Sequence, residues 1–315
     1  MKLCWLLFCM LWSVMMTVAQ AAEHLNDHEA FCQSAARQDC LALLQQQLDS
    51  AKPFSVRWYQ LKSYQLDYLF DKHLDQQLAQ QTTQLLQLED MPPVFRTQLY
   101  FYQAKILHSN GQLLQAQHYA DLAAADLAQL FQAFADPLRL VELANLQTVM
   151  GQQTQAWQLL MQAEARFAKS KDPVFLFELY TNKALVQQAN GQMADAAYAR
   201  KLALDTILPS GDDGKISVAY GNLGRTYQLL GQYGLAQQYY QQALARMNPG
   251  ADDVRRQMRL LRLSQVHCQL QDLAGARQIF SQVEPQLVET TYQSLYQYLH
   301  QQLVASKAIA QCDAD

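Results

Sequence analysis

Gly111, Gly151, Gly191 and Gly231 fall at a strict forty-residue interval, and each is followed by Gln. Five residues after each stands Ala: Ala116, Ala156, Ala196 and Ala236. One period further on the glycine place holds Gln271, while Ala276 keeps the register. A fixed period of this length marks a repeat architecture, in which each unit buries its apolar side against its neighbours. Composition agrees with a helical version of it. Half the residues are apolar, and only 11 Gly and 8 Pro occur among 315 residues. Gln makes up roughly 15% of the chain and is a good helix former. No alternating run of β-branched residues stands out, so the expected fold class is all-α.

Within the frame the unit reads as a helix, a tight turn and a second helix. In the best copy Tyr220, Leu223, Gly224 and Tyr227 share one helical face. Gly231 closes that helix, where a positive φ is wanted. Tyr233, Ala236, Tyr240 and Ala243 then mark one face of the second helix, and Asn248-Pro249-Gly250 stops it. The small residues Gly224 and Ala236 let two helices approach closely. Breaks containing Pro recur between units, at Pro92-Pro93, Pro137, Pro173 and Pro209.

This pattern resembles the tetratricopeptide repeat, most fully over residues 217–250. Weaker copies run over 97–130, 137–170, 177–210 and 257–290. The resemblance implies a right-handed α–α superhelix, a solenoid of antiparallel helix pairs with a period near forty residues. The boundaries expected are a signal peptide at 1–21, a capping helical hairpin at 22–56 and repeats over 57–285. The repeats divide at about 57–96, 97–136, 137–176, 177–216, 217–256 and 257–285, and a capping helix follows at 286–315. Caps are needed because terminal units otherwise expose an apolar face.

The signal-peptide reading rests on Lys2, the uncharged apolar stretch Leu3 to Val18 and the site Ala19-Gln20-Ala21. It places the protein in the periplasm or outside the cell, with no membrane span after cleavage. An uncleaved anchor is the alternative. Removing Lys2 takes the net charge from −4 to −5. A mildly acidic chain without a basic cluster is a poor nucleic-acid binder. Four cysteines remain beyond residue 21: Cys32, Cys40, Cys268 and Cys312. They permit two disulfides in three pairings, or four thiols. Cys32–Cys40 with Cys268–Cys312 is preferred: the first would clip a hairpin, the second would tie down the last helix.

No catalytic constellation emerges, and neither an enzyme, a cofactor nor a metal is expected. His24 and His28 lie four apart beside Glu23 and Asp27, but at the frayed start of the mature chain. Asp212-Asp213 lacks the rest of a calcium loop. Glu142, Glu164 and Glu178 read as solvated or paired with nearby bases. A binding surface is the better expectation. In the tetratricopeptide frame the first helices line the concave face, and the residues turned inward include Phe101, Lys105, Asn145, Asn182, Asn222, Arg225 and Arg262. Asn182 and Asn222 occupy equivalent places. The resemblance implies that an Asn there bonds the main chain of an extended ligand, for which an amide offers donor and acceptor together. Bonding of neighbouring helices is the other use such an Asn has. Arg225 and Arg262 would hold a carboxylate. The expected function is a non-catalytic periplasmic scaffold for a protein or peptide partner. The alternative is a sensor or regulatory ectodomain-like protein acting with a separate membrane signalling partner, such as a diguanylate cyclase or sensor kinase.

Overall fold

In the computed structural model residues 27–134 and 137–305 are described, and among them fifteen α-helices and no strand form. Residues 1–21, His24 and Cys312 lie outside the described residues, and with them the signal-peptide reading. The chain divides into two units, one of residues up to 65 with 248–251, the other of 66–247 with residues from 252 on.

The first unit holds α1 (Asp27–Ser34), α2 (Arg37–Ser50) and the start of α3 (Val56–Asp71). Cys32 and Cys40 are joined by a disulfide, which clips α1 to α2. Cys40, Leu44 and Leu48 of α2 are buried at a spacing of four, so they form one stripe. The turn between α1 and α2 holds residues 248–251 in place. Arg37 N donates to Gly250 O at 3.0 Å, and Asn248 Nδ2 donates to Ser34 O at 2.5 Å. His28 is buried edge-on against Tyr64, with ring centroids 4.7 Å apart.

The second unit continues through α4 (Asp75–Leu85) into five helix pairs. These are α5 (Pro93–Ser109) with α6 (Leu113–Phe134), α7 (Pro137–Val149) with α8 (Gln153–Arg166), and α9 (Pro173–Ala189) with α10 (Met193–Ile207). Then come α11 (Asp213–Leu229) with α12 (Tyr233–Ala245), and α13 (Asp253–Gln269) with α14 (Leu273–Phe280). The last helix is α15 (Gln293–His300). Four of the five first helices begin four residues ahead of the sequence frame. The reason is local. Pro93 and Pro173 sit at the first helical turn, where a missing N–H costs nothing. Asp172 and Asp212 cap α9 and α11 by accepting from the backbone N–H groups of Val174 and Lys215.

The forty-residue glycines do one job. Gly111, Gly151, Gly191 and Gly231 have φ between +71° and +77°. At each, the glycine N–H and the following N–H turn back onto the last carbonyls of the first helix, as in Gly231 N to Gln228 O and Gln232 N to Tyr227 O. This closes the helix and reverses the chain in two residues. Gln271 makes the same turn with φ +63°, a conformation that a side chain disfavours. The alanines five residues on, from Ala116 to Ala276, are all fully buried at the crossing of the pair. In the fourth pair the crossing is tighter still: a Cβ on Gly224 would lie 2.7 Å from the Tyr240 ring. Tyr240 is fully buried and its hydroxyl donates to Gln228 Oε1 at 3.0 Å.

Apolar clusters run from each pair into the next. One joins Leu140 and Ala144 of α7, Ala156 and Leu160 of α8, and Phe175 and Leu179 of α9. Another joins Leu261 and Cys268 of α13 to Phe280, Leu299 and Leu303. Cys268 is disulfide-bonded; the expected pairing with Cys312 falls on a residue outside the described ones. The row of pairs is superhelical and curls within this unit. Lys72, in the turn after α3, pairs with Asp252 at 2.7 Å just ahead of α13, and His73 Nδ1 meets Glu289 at 3.2 Å.

Replacing Gln271 by Gly should stabilise the protein by roughly 1 kcal/mol, because it relieves a left-handed side-chain residue. Gly224→Ala should destabilise it by about 1–3 kcal/mol, because Tyr240 has nowhere to retreat. Urea unfolding of both variants checks the pair; equal midpoints would remove the turn and the crossing as the determinants of the repeat.

Candidate functional site

The first helices of successive pairs lie side by side, and their facing side chains meet at spacings of 37 and 41 residues. Asn145 Nδ2 donates to Asn182 Oδ1 at 2.6 Å, and Gln228 Nε2 donates to Gln265 Oε1 at 3.0 Å. This register differs from the forty-residue frame and cannot be read from it.

This register decides what the inward residues do. Asn182 is 4% exposed. Its amide oxygen accepts from Asn145, and its amide nitrogen donates to Glu178 O at 2.8 Å. It therefore bonds neighbouring helices. Asn222 stands at the equivalent place one repeat later, half-buried, and its side chain makes no hydrogen bond among the described residues. The two asparagines share a position and differ in availability.

At the α3–α5 end, Lys105 is half-buried between two rings. Its Nζ lies 4.2 Å from the Phe101 centroid and 4.7 Å from that of Phe70. Burial lowers its pKa to about 8, against the pull of Glu178, Glu142 and Asp71. Burial also raises the Glu178 carboxyl, with Lys215 and Lys105 opposing and Asp71 and Glu142 adding to the rise. Groups from five successive first helices thus feel one another across a single inner face. Asp67 sits beside them. Its Oδ1 accepts from the Tyr102 hydroxyl and from Gln98 Nε2, the latter at 2.7 Å. Desolvation of its carboxyl raises its pKa to about 6, with the two hydrogen bonds opposing and the negative charges of Asp71 and Glu142 adding to the rise. Burial, then the Asp67 charge, drives the Tyr102 hydroxyl well above its ordinary value.

At the α11–α13 end the inner face is amide and arginine. Arg225 Nη1 donates to Gln228 Oε1 at 3.2 Å, and Arg262 Nη1 donates to Gln265 Oε1 at 3.0 Å. The Arg262 guanidinium also lies 5.4 Å from the Tyr292 ring centroid. Buried Gln228 serves the whole group. It donates to Gln265 and Gln269 and accepts from Tyr240 and Arg225. The repeat frame passed over Asp67 and Lys215, because their partners lie on other helices, and it passed over Arg200 and Arg259, whose forty-residue equivalents are mostly apolar, Arg139 being an exception.

Other polar groups singled out in the sequence have structural partners. Glu142 pairs with Arg139 at 2.7 Å, and Glu164 with Lys183 at 2.9 Å. His267 Nδ1 lies 2.8 Å from Asp272 Oδ2, in the turn before α14. No helix among the described residues is long and apolar enough to cross a membrane.

Residues 175–248 match the family model described as tetratricopeptide repeat. No curated protein matches the chain. Among solved structures, a Rap protein complexed with Competence and Sporulation Factor superposes with a TM-score of 0.63 at 14% identity, over 93% of this chain and 85% of that one. Aspartyl phosphate phosphatase F from Bacillus subtilis gives a TM-score of 0.58 at 15% identity, over 90% and 79%. NprR in complex with its cognate peptide NprX gives 0.52 at 14% identity, over 83% and 76%. At these identities the likeness is one of fold.

Asp67 binds its proton more tightly folded than unfolded. The stability it contributes is complete below its ordinary value near 3.8 and is lost as pH rises through about 6. Asp67→Asn should therefore gain stability relative to the wild type as pH is raised from 4 to 7. Urea unfolding at several pH values checks this, and a constant difference across the window refutes the assignment.

Proposed function

We propose that this tetratricopeptide-repeat protein is a non-catalytic interaction scaffold, which holds an extended peptide or a protein segment along its first-helix face. One observation carries the reading. Five successive first helices turn partly solvated charged and amide side chains toward one another, so a segment laid across them meets fresh polar partners at every repeat. Such a surface gives affinity from many shallow contacts and a few anchors. Asn222 is the amide with donor and acceptor to spare, Arg225 and Arg262 flank it toward α13, and Phe101 with Lys105 lies toward α5. Asn145 and Asn182 serve the groove as its frame. The Rap and NprR structures support the reading at the level of fold, since each of those proteins was solved in complex with a factor or peptide.

The site of action in this reading is outside the cytoplasm, periplasmic or secreted. The Cys32–Cys40 disulfide supports it, because such bonds persist in oxidising compartments.

Immobilised protein incubated with periplasmic extract should recover a discrete partner. Asn222→Ala with Arg225→Ala should weaken that recovery roughly tenfold, the scale of one or two lost anchors. Tyr198→Ala, an exposed change on the second helix of its pair, should leave it intact. Recovery that responds to Tyr198 and ignores Asn222 and Arg225 would move binding off the inner face.

A further inference from the structure

Arg259, on α13, is 8% exposed and makes neither a hydrogen bond nor an ion pair among the described residues. Its guanidinium lies on the bare Cα of Gly221 in α11, where a Cβ would come within 2.4 Å of Nε, Cζ and Nη2. Other repeats hold Phe101, Val141, Thr181 and Leu261 at the Gly221 place, so the room is particular to this seam. Ser217 stands four residues before Gly221, on the same side of α11. It is fully buried, and its hydroxyl has no partner. Its counterparts are engaged: Thr97 Oγ1 donates to Pro93 O at 2.8 Å, and Gln257 Oε1 accepts from Glu284 N at 2.9 Å. The α11–α13 seam thus holds a buried cation beside an unspent hydroxyl.

The placement is costly. A guanidinium stays charged at neutral pH, and a buried charge without a counter-charge is among the most expensive features a core can hold. Burial is the main force lowering the Arg259 pKa; Tyr240 and Tyr292 oppose it, and Arg255 and Arg262 add repulsion. Arg200, 5% exposed on α10, is lowered to about 10 by burial, then by Arg259. The carboxylate just ahead of α13, Asp252, is engaged by Lys72 at 2.7 Å and by Arg255 at 3.7 Å. Arg139, three repeats earlier at the Arg259 place, pairs with Glu142 three residues on, at 2.7 Å. Three residues after Arg259 stands Arg262, which closes that solution. A water molecule in the seam would bring hydrogen bonds and no charge. A peptide carboxylate would bring charge and a trailing chain, and Ser217 has no exposed surface for a chain to pass. A monatomic anion has neither defect.

We propose that the α11–α13 seam is a binding site for a monatomic inorganic anion of the halide class, held between the Arg259 guanidinium and the Ser217 hydroxyl. Arg259 Nε and Ser217 Oγ donate to it, the first in a charge-assisted hydrogen bond, and Arg200 adds positive potential from α10. The anion ties α11 to α13. It binds the folded chain and not the unfolded one, so its binding adds to stability. The site lies within the seam, apart from Arg225 and Arg262, which bond Gln228 and Gln265. It stands whether or not the inner face holds a peptide.

Urea unfolding with chloride replacing gluconate at constant ionic strength tests the site. The midpoint should rise with chloride along a saturating curve. Bromide should act in the same way, and crystals soaked in it should show an anomalous peak beside Arg259 Nε. Arg259→Gln should flatten the curve. Ser217→Ala, which keeps the charge, should move half-saturation to about tenfold higher chloride, the scale of one hydrogen bond to a charged group; it decides the matter if Arg259→Gln fails to fold. Arg262→Gln, on the inner face, should leave the curve in place. A midpoint indifferent to the anion, a rise without saturation, or a curve unchanged by Ser217→Ala overturns the site. A curve kept by Arg259→Gln and lost in Arg262→Gln overturns it as well, because the anion then sits on the inner face.

Discussion

The left-handed residue that ends each first helix is the constraint from which the rest follows. At Gly111, Gly151, Gly191 and Gly231 the chain satisfies the last carbonyls of one helix and starts the next within two residues. So short a turn forces the two helices into contact, and contact at that distance admits only a small side chain. The fully buried alanines five residues on are the consequence. Because the turn repeats with fixed phase, the helix pairs repeat, and their apolar sides close on one another in sequence. Gln271 shows that the geometry is imposed by packing: the turn holds even where the residue disfavours it.

Contacts between successive first helices set the chemistry of the inner face. Contacts at 37 and 41 residues rather than forty bring together side chains from different rows of the sequence. Where amides meet, they lock helix to helix, as Asn145 does with Asn182 and Gln228 with Gln265. Where charges meet, the face becomes a mixed electrostatic field. Lys105, Glu142, Glu178 and Lys215 offset one another near α5 to α11. Arg225, Arg259 and Arg262, on α11 and α13, make no ion pair with a carboxylate among the described residues. Such asymmetry along a binding face supplies direction, because a ligand with unlike ends fits it one way round.

Much of the fold was legible from the chain alone. The glycine–alanine register, the proline breaks and the aromatic stripe of Tyr220, Leu223 and Tyr227 identified helix pairs and placed their turns. The site was less legible. Asn182 and Asn222 are indistinguishable by position, yet one is spent on Asn145 and Glu178 O while the other is unspent. Arg259 and Arg200 fall at places that most other repeats fill with apolar residues (Arg139 is an exception), so periodicity alone does not single them out. Only the absence of Cβ at Gly221 makes room for the first of them.

The sequence by itself determined the all-α repeat, because a turn needing positive φ and a crossing needing a small residue are local demands that particular residue types answer. Tertiary structure decided which inward side chains are free, which are tied, and where charge is left uncompensated. Those outcomes depend on contacts between successive first helices, at spacings such as 37 and 41 residues, which form only once the apolar sides of the pairs are buried together. Spacing along the chain does not say which side chains will meet there.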